Sequence, residues 1–79
     1  MLIGYNNDVQ YRGKEFHIQT EDHGTSTAKI ESQLFHSGQI LDTKFVDYQD
    51  VLDEHPDAEH EEKIEELMRS VHVGLYQQL

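Results

Sequence analysis

The spacing of apolar residues changes once along the chain, close to residue 47. Residues 8–46 alternate apolar and polar side chains, as in Phe16, His17 and Ile18, which is the period of a β-strand with one buried face. Residues 57–79 instead carry an apolar stripe at helical spacing, made of Ile64, Leu67, Met68, Val71, Leu75 and Leu79. The chain therefore predicts strands followed by a helix, with the helix covering one face of a sheet.

Glycines within the alternating region predict two β-hairpins. For the first hairpin we predict a turn at residues 13–14, because this pairs Tyr11 with Phe16 and Val9 with Ile18 on one apolar face. For the second we predict a turn at Ser37 and Gly38. The pairs expected on its core face are Leu34 with Leu41, Ser32 with Thr43 and Ile30 with Phe45, and the pairs expected on its outer face are Phe35 with Ile40, Gln33 with Asp42 and Glu31 with Lys44.

The predicted fold class is α+β, a two-layer, four-stranded antiparallel meander sheet packed against a long C-terminal helix, with a short helix before it. Residues 1–79 are expected to form a single domain, with hairpins over 8–46, the short helix over 48–55 and the C-terminal helix over 57–79. Pro56 separates the helices, since a residue that precedes proline disfavours the helical region. Residues 1–7 either form a short edge strand or cover one end of the core, and the sequence does not decide between these alternatives.

Charge and composition narrow the class of partner. Sixteen acidic and six basic residues give a net charge of −10, and residues 47–79 hold ten of the acids. Such a chain repels phosphate, so neither nucleic acid nor an anionic membrane is an expected partner. The chain has no cysteine, which leaves homodimerisation as a common way to support so small a core. No window resembles a signal peptide or a membrane helix, so a cytoplasmic protein is expected.

Several segments carry a resemblance. Residues 11–22 read YRGKEFHIQTED, residues 34–41 read LFHSGQIL, and Tyr48 precedes a helix with Leu67, Met68 and His72. In these segments the chain resembles a family of small uncharacterised bacterial modules with a YRGxxFHxQTED hairpin, an LFxxGxIL hairpin and a C-terminal LMxxxH helix. The family has a glycine where this chain has Ser37 and a glutamine where it has Val71, so the chain departs from the family at both positions. The resemblance implies one intact domain and supplies no mechanism.

Metal binding and catalysis are the two chemical alternatives. The densest cluster of potential ligands is His55, His60, Asp57 and Glu59, which makes a divalent-cation-binding protein the alternative hypothesis. No zinc motif, nucleophile elbow or phosphate loop occurs, so we expect a non-catalytic protein without a cofactor. His60 and His72 lie on or beside the apolar stripe, and partial burial against the sheet is expected for both.

An interaction surface is the leading functional hypothesis. The outer face of the sheet is expected to expose an apolar corner, and such patches tend to mark contacts with other proteins. The residues expected on this binding surface are Phe35, Ile40, Val46, His17 and Gln33. We therefore predict a protein-interaction or adaptor module that is able to dimerise, with strand edges also open to addition.

Overall fold

The computed structural model describes residues 4–79. Four strands, β1 (Tyr5–Tyr11), β2 (Lys14–Asp22), β3 (Lys29–His36) and β4 (Gln39–Asp47), precede two helices, α1 (Gln49–Glu54) and α2 (Asp57–Tyr76). The strands lie in the order β1-β2-β3-β4, and each is antiparallel to its neighbour. Helix α2 contacts β2, β3 and β4 from one side of this sheet. The predicted α+β meander with a short helix and a long C-terminal helix is confirmed.

The boundaries at the two ends differ from the predicted ones. Helix α2 ends at Tyr76, although the apolar stripe predicted a helix to residue 79. At the other end, residues 5–7 belong to β1, which agrees with the edge-strand alternative for this part of the chain. The first three residues of that prediction lie outside the described residues.

The first hairpin turns one residue earlier than predicted. Arg12 and Gly13 both have positive φ, 53° and 76°, as a two-residue type I′ turn requires. Tyr11 therefore pairs with Lys14 and Val9 with Phe16, and the predicted pairs Tyr11–Phe16 and Val9–Ile18 are wrong. The apolar residues still share one face, because partners shift by two residues and side chains alternate with a period of two. The twist of a type I′ turn, rather than pairing of apolar side chains, sets the register here.

A β-bulge alters the second hairpin beyond its turn. Ser37 and Gly38 form the predicted turn, and Phe35 pairs with Ile40 as predicted. The register then shifts between Leu34 and Phe35, where β4 has one extra residue. The predicted pairs that lie beyond this shift are consequently wrong: Leu34 pairs with Asp42, Ser32 with Lys44, Ile30 with Val46, Gln33 with Thr43 and Glu31 with Phe45.

The core consists of two apolar clusters separated by a polar layer. One cluster contains Ala28, Ile30, Tyr48, Ile64 and Met68, and the other contains Val9, Ile18, Leu34 and Leu75. The cross-strand pair Thr20–Ser32 lies along the sheet between the pairs Ile18–Leu34 and Asp22–Ile30. Both side chains of this pair are fully buried. His72 of α2 contacts this layer from above. Helix α2 is therefore positioned by apolar contacts at both ends and by hydrogen bonds in the middle.

Candidate interaction surface

The sheet has one face without a helix, which we call the open face. Strand alternation places on it the side chains Asn6, Asp8 and Gln10 of β1, His17, Gln19 and Glu21 of β2, Glu31, Gln33 and Phe35 of β3, and Ile40, Thr43 and Phe45 of β4. Polar side chains dominate on β1 and β2, whereas large apolar side chains lie on β3 and β4. The open face is therefore divided into a polar side and an apolar side.

The apolar side consists of Phe35, Ile40 and Phe45. Phe35 and Ile40 are direct cross-strand partners, and Phe45 pairs with Glu31 further along the same two strands. Ile40 is 55% exposed and Phe45 is 63% exposed. Leu41, at the bulge, is also more than half exposed, but it lines a cavity on the helix side with Phe16 and Leu79. The two exposed apolar side chains Ile40 and Phe45 on one edge strand therefore distinguish the open face from an ordinary solvated surface.

Val46 is a correction to the predicted surface. It pairs with Ile30 and packs, partly buried, against the core cluster that includes Ile30 and Met68. The prediction that Val46 lies on the outer face is wrong, because the bulge at Leu41 reverses which β4 side chains face the helix. Phe45 takes the exposed position instead. Of the predicted surface residues, Phe35, Ile40, His17 and Gln33 do lie on the open face.

His17 links the two sides of the open face. Its Nδ1 donates to Oδ1 of Asp8 at 2.8 Å, and its Nε2 lies 3.2 Å from Oδ1 of Asn6. The ring centroid of His17 is 6.0 Å from that of Phe35. These contacts hold the imidazole across β1 and β2, beside the apolar side of the face. They make His17 a structural boundary between the polar and apolar sides of the open face.

The predicted metal cluster does not converge. Nδ1 of His55 lies 3.7 Å from Glu59, whereas Nδ1 of His60 lies 3.8 Å from Asp57. Nε2 of His60 donates instead to the backbone carbonyl of His55 at 2.7 Å. Across residues 4–79, no group of three or more histidine, aspartate or glutamate side chains is arranged to hold a metal ion. The four side chains therefore form two separate weak ion pairs.

A hydrogen-bonded chain on the other face, which runs from exposed Asn7 to buried Ser32, was not predicted as a unit. Oδ1 of Asn7 accepts from Nε2 of His72 at 2.7 Å, and Nδ1 of the same ring accepts from the Thr20 hydroxyl at 2.6 Å. The Thr20 oxygen accepts in turn from the Ser32 hydroxyl at 2.6 Å. This donor pattern requires a neutral imidazole. Burial, followed by the charge of His17, lowers the pKa of His72, which agrees with that requirement.

The two hydroxyls of this chain are closed to solvent. Thr20 and Ser32 are both 0% exposed, so a substrate has no access to either hydroxyl. The partial burial predicted for His72 and His60 is confirmed, since both have intermediate exposure. Thr20 lies two residues after Ile18 and four after Phe16, so strand alternation places it with them on the core face. Its pairing with Ser32 depends on the observed register.

Comparisons with known proteins give no further identification. No family model matches the chain, and searches of curated proteins and of solved structures find no match either. The resemblance to a family of small bacterial modules therefore stays a prediction. Among residues 4–79, no helix is both long enough and apolar enough to cross a membrane.

Proposed function

We propose that this chain is a non-catalytic protein-interaction module whose contact surface is the apolar side of the open face. The observation that carries the proposal is the exposure of Phe45, at 63%, on an edge strand that also presents Ile40. Removing an apolar side chain from water is worth about 25 cal/mol for each Å² buried, so a phenylalanine left this exposed is available to a partner. Phe35 beside Ile40 extends the apolar surface inward.

Charge supports a protein partner over a nucleic acid or an anionic membrane. The chain has a net charge of −10, and a phosphate-bearing surface would be repelled. A complementary partner surface combines an apolar centre with basic residues at its rim, since acids such as Glu31 lie beside Phe45. We also propose that the protein acts in a bacterial cytoplasm. The composition and the resemblance to a family of small bacterial modules support this part of the proposal.

The divalent-cation alternative has no comparable support. Its ligands His55 and His60 bind separate acids, and one nitrogen of His60 is occupied by a backbone carbonyl. A cation would have to replace these contacts and gather side chains that lie apart. The interaction surface needs no rearrangement, and it is therefore the better-supported function.

Site-specific photocrosslinking tests the proposal. A photoreactive phenylalanine analogue at Phe45 is expected to capture a protein in the source cell, because this position lies in the contact surface. The matched control is the same analogue at Tyr76, which is 54% exposed on α2. Phe35→Ser should abolish capture from position 45 while the circular dichroism spectrum stays unchanged. Equal adducts from positions 45 and 76, insensitive to Phe35→Ser, would contradict the proposal.

A further inference from the structure

We propose that β4 of one copy pairs antiparallel with β4 of a second copy, with Thr43 opposite Thr43 on a twofold axis. This inference rests on the proposed function only in assigning contact to the β4 side of the sheet. It names a partner, a second copy of this chain, and a single register. The result would be a continuous eight-stranded sheet with both α2 helices on the same face, since antiparallel partners point to the same side.

The sheet order leaves β4 with one unpaired edge. The order β1-β2-β3-β4 puts β1 and β4 at the two edges, and within residues 4–79 each edge strand has backbone groups that no other strand binds. β1 is poorly suited to twofold pairing, because Asp8 lies at its centre and would face its own copy. β4 has Thr43 at its centre, with Asp42 and Lys44 on either side. This arrangement of charges is self-complementary.

Asp42 and Lys44 select the register. Both side chains lie on the helix side of β4, where Nζ of Lys44 is 3.6 Å from Oδ2 of Asp42. With Thr43 on the twofold axis, Asp42 of each copy lies directly opposite Lys44 of the other. Two cross-strand ion pairs then form, and the four charges alternate in sign around the axis. Opposite charges directly across strands are stabilising, whereas like charges there are destabilising.

Neighbouring registers lack this complementarity. A twofold axis at Asp42 would oppose two carboxylates, and an axis at Lys44 would oppose two ammonium groups. An axis at Phe45 would set Lys44 against Val46. Charge therefore selects the Thr43 register among its neighbours.

The charges of β4 restrict other strands from adding to this edge. A lysine on an edge strand, here Lys44, discourages indiscriminate pairing. Oδ1 of Asp42 also accepts the backbone N–H of Thr43 at 2.9 Å. A second copy can replace that acceptor with a backbone carbonyl while its Lys44 receives the released carboxylate. An arbitrary strand offers no lysine at this position, so the edge discriminates in favour of its own copy.

Charge reversal provides the first test. Asp42→Lys places a lysine opposite Lys44 of the partner in both cross-strand pairs, and Lys44→Asp sets two carboxylates opposite each other in the same pairs. We expect sedimentation equilibrium to show self-association of the unmodified chain and at least a tenfold weaker affinity for each variant alone. An equimolar mixture of the two variants should recover the affinity, because each then faces the opposite charge. Recovery by mixing distinguishes a contact between copies from an effect within one chain.

Disulfide trapping provides the second test. The chain has no cysteine, so a single introduced thiol reports one position. Directly opposed residues of antiparallel strands have Cα atoms about 4.5–5.5 Å apart, which is within disulfide range. Thr43→Cys should therefore form covalent dimers under mild oxidation much faster than Gln10→Cys on the β1 edge. Phe35→Ser, which changes the interior of the open face, should leave this trapping unchanged.

The outcomes separate this inference from the proposed function. A chain that stays monomeric up to about 1 mM, where the binding free energy would be weaker than about −4 kcal/mol, overturns the dimer. Equal trapping at positions 43 and 10, or no recovery on mixing, also overturns it. Capture of a different protein from position 45 would then still support the proposed function. If Phe35→Ser leaves the dimer intact and position 45 captures no other protein, the result supports the dimer and overturns the proposed function.

Discussion

The phenol of Tyr48 donates a 2.6 Å hydrogen bond to Oδ1 of Asp22, and both side chains are almost completely buried. The same carboxylate oxygen accepts the backbone N–H of Gly24 at 2.9 Å. Tyr48 immediately precedes α1, while Asp22 ends β2, so this contact fixes the start of the helical layer to the sheet. Burial and the Asp22 carboxylate together raise the pKa of Tyr48 well above its ordinary value.

Tyr48→Phe removes this hydrogen bond while retaining most of the ring. We expect the free energy of unfolding to fall by about 1–3 kcal/mol, because the buried carboxylate loses one of its donors. Urea denaturation at neutral pH measures the change. Tyr76→Phe is the control, since Tyr76 is 54% exposed, and it should stay within about 0.5 kcal/mol of the unmodified chain. Equal stability of the two variants would contradict the assigned role of Tyr48.

His72 should make folding stability depend on pH. Its pKa is lowered by burial and then by the charge of His17, while its ring also contacts Tyr5, Asn7 and Thr20. The unfolded chain binds a proton with the ordinary pKa of about 6.5, so it binds more protons than the folded chain below that pH. The contribution of His72 is therefore complete above about pH 6.5 and decreases as the pH falls towards the lower, folded pKa.

Variants separate this effect from the other histidines. We therefore expect the stability difference between the unmodified chain and His72→Gln to be smaller at pH 5.5 than at pH 7.5. His55→Gln serves as the control, because His55 lies in a partly exposed ion pair with Glu59. A pH-independent difference for His72→Gln, measured by urea unfolding, would rule out this linkage.

Two glycines should respond in opposite directions to alanine. A Cβ added at Gly4 would clash with the backbone carbonyl oxygen of Thr20, so the backbone there would have to move. Gly4→Ala should therefore lower the free energy of unfolding by at least about 1 kcal/mol. At Gly74, within α2, an added Cβ meets nothing within 4 Å, so Gly74→Ala should raise stability by about 0.5–1 kcal/mol. Thermal unfolding of both variants measures this contrast, and equal shifts would refute the close approach of Gly4.

The bulge in β4 can be tested through Phe45 and Val46. Val46 packs against the core, whereas Phe45 is 63% exposed. Val46→Ser should lower the free energy of unfolding by more than about 1 kcal/mol, while Phe45→Ser should stay within about 0.5 kcal/mol in dilute solution. Low concentration keeps any self-association out of the comparison. A larger loss of unfolding free energy for Phe45→Ser than for Val46→Ser would contradict the bulge and indicate that β4 is a regular strand.

The sequence predicted only part of the candidate surface. Alternation identified Phe35, Ile40, His17 and Gln33 as members of one face, because a period of two assigns faces without knowledge of partners. Phe45 was expected in the core and Val46 outside it, since alternation continued through Leu41 assumes a regular strand. A bulge cannot be read from alternation alone, because its extra residue differs from a regular one only in backbone conformation. The single most exposed phenylalanine of the surface was therefore misplaced.

Local patterns by themselves determined the α+β class, the four strands, the break at Pro56 and the helical stripe through Ile64, Met68 and Leu75. Each depends on spacing within one segment, which elementary geometry converts directly into a strand or a helix. Tertiary structure alone decided the registers, the Tyr48–Asp22 contact and the chain from Asn7 through His72 and Thr20 to Ser32. These join residues as many as 65 positions apart. Only the assembled sheet and helix bring such polar groups within 3 Å, and burial makes a hydrogen-bond partner necessary for Asp22, Thr20 and Ser32.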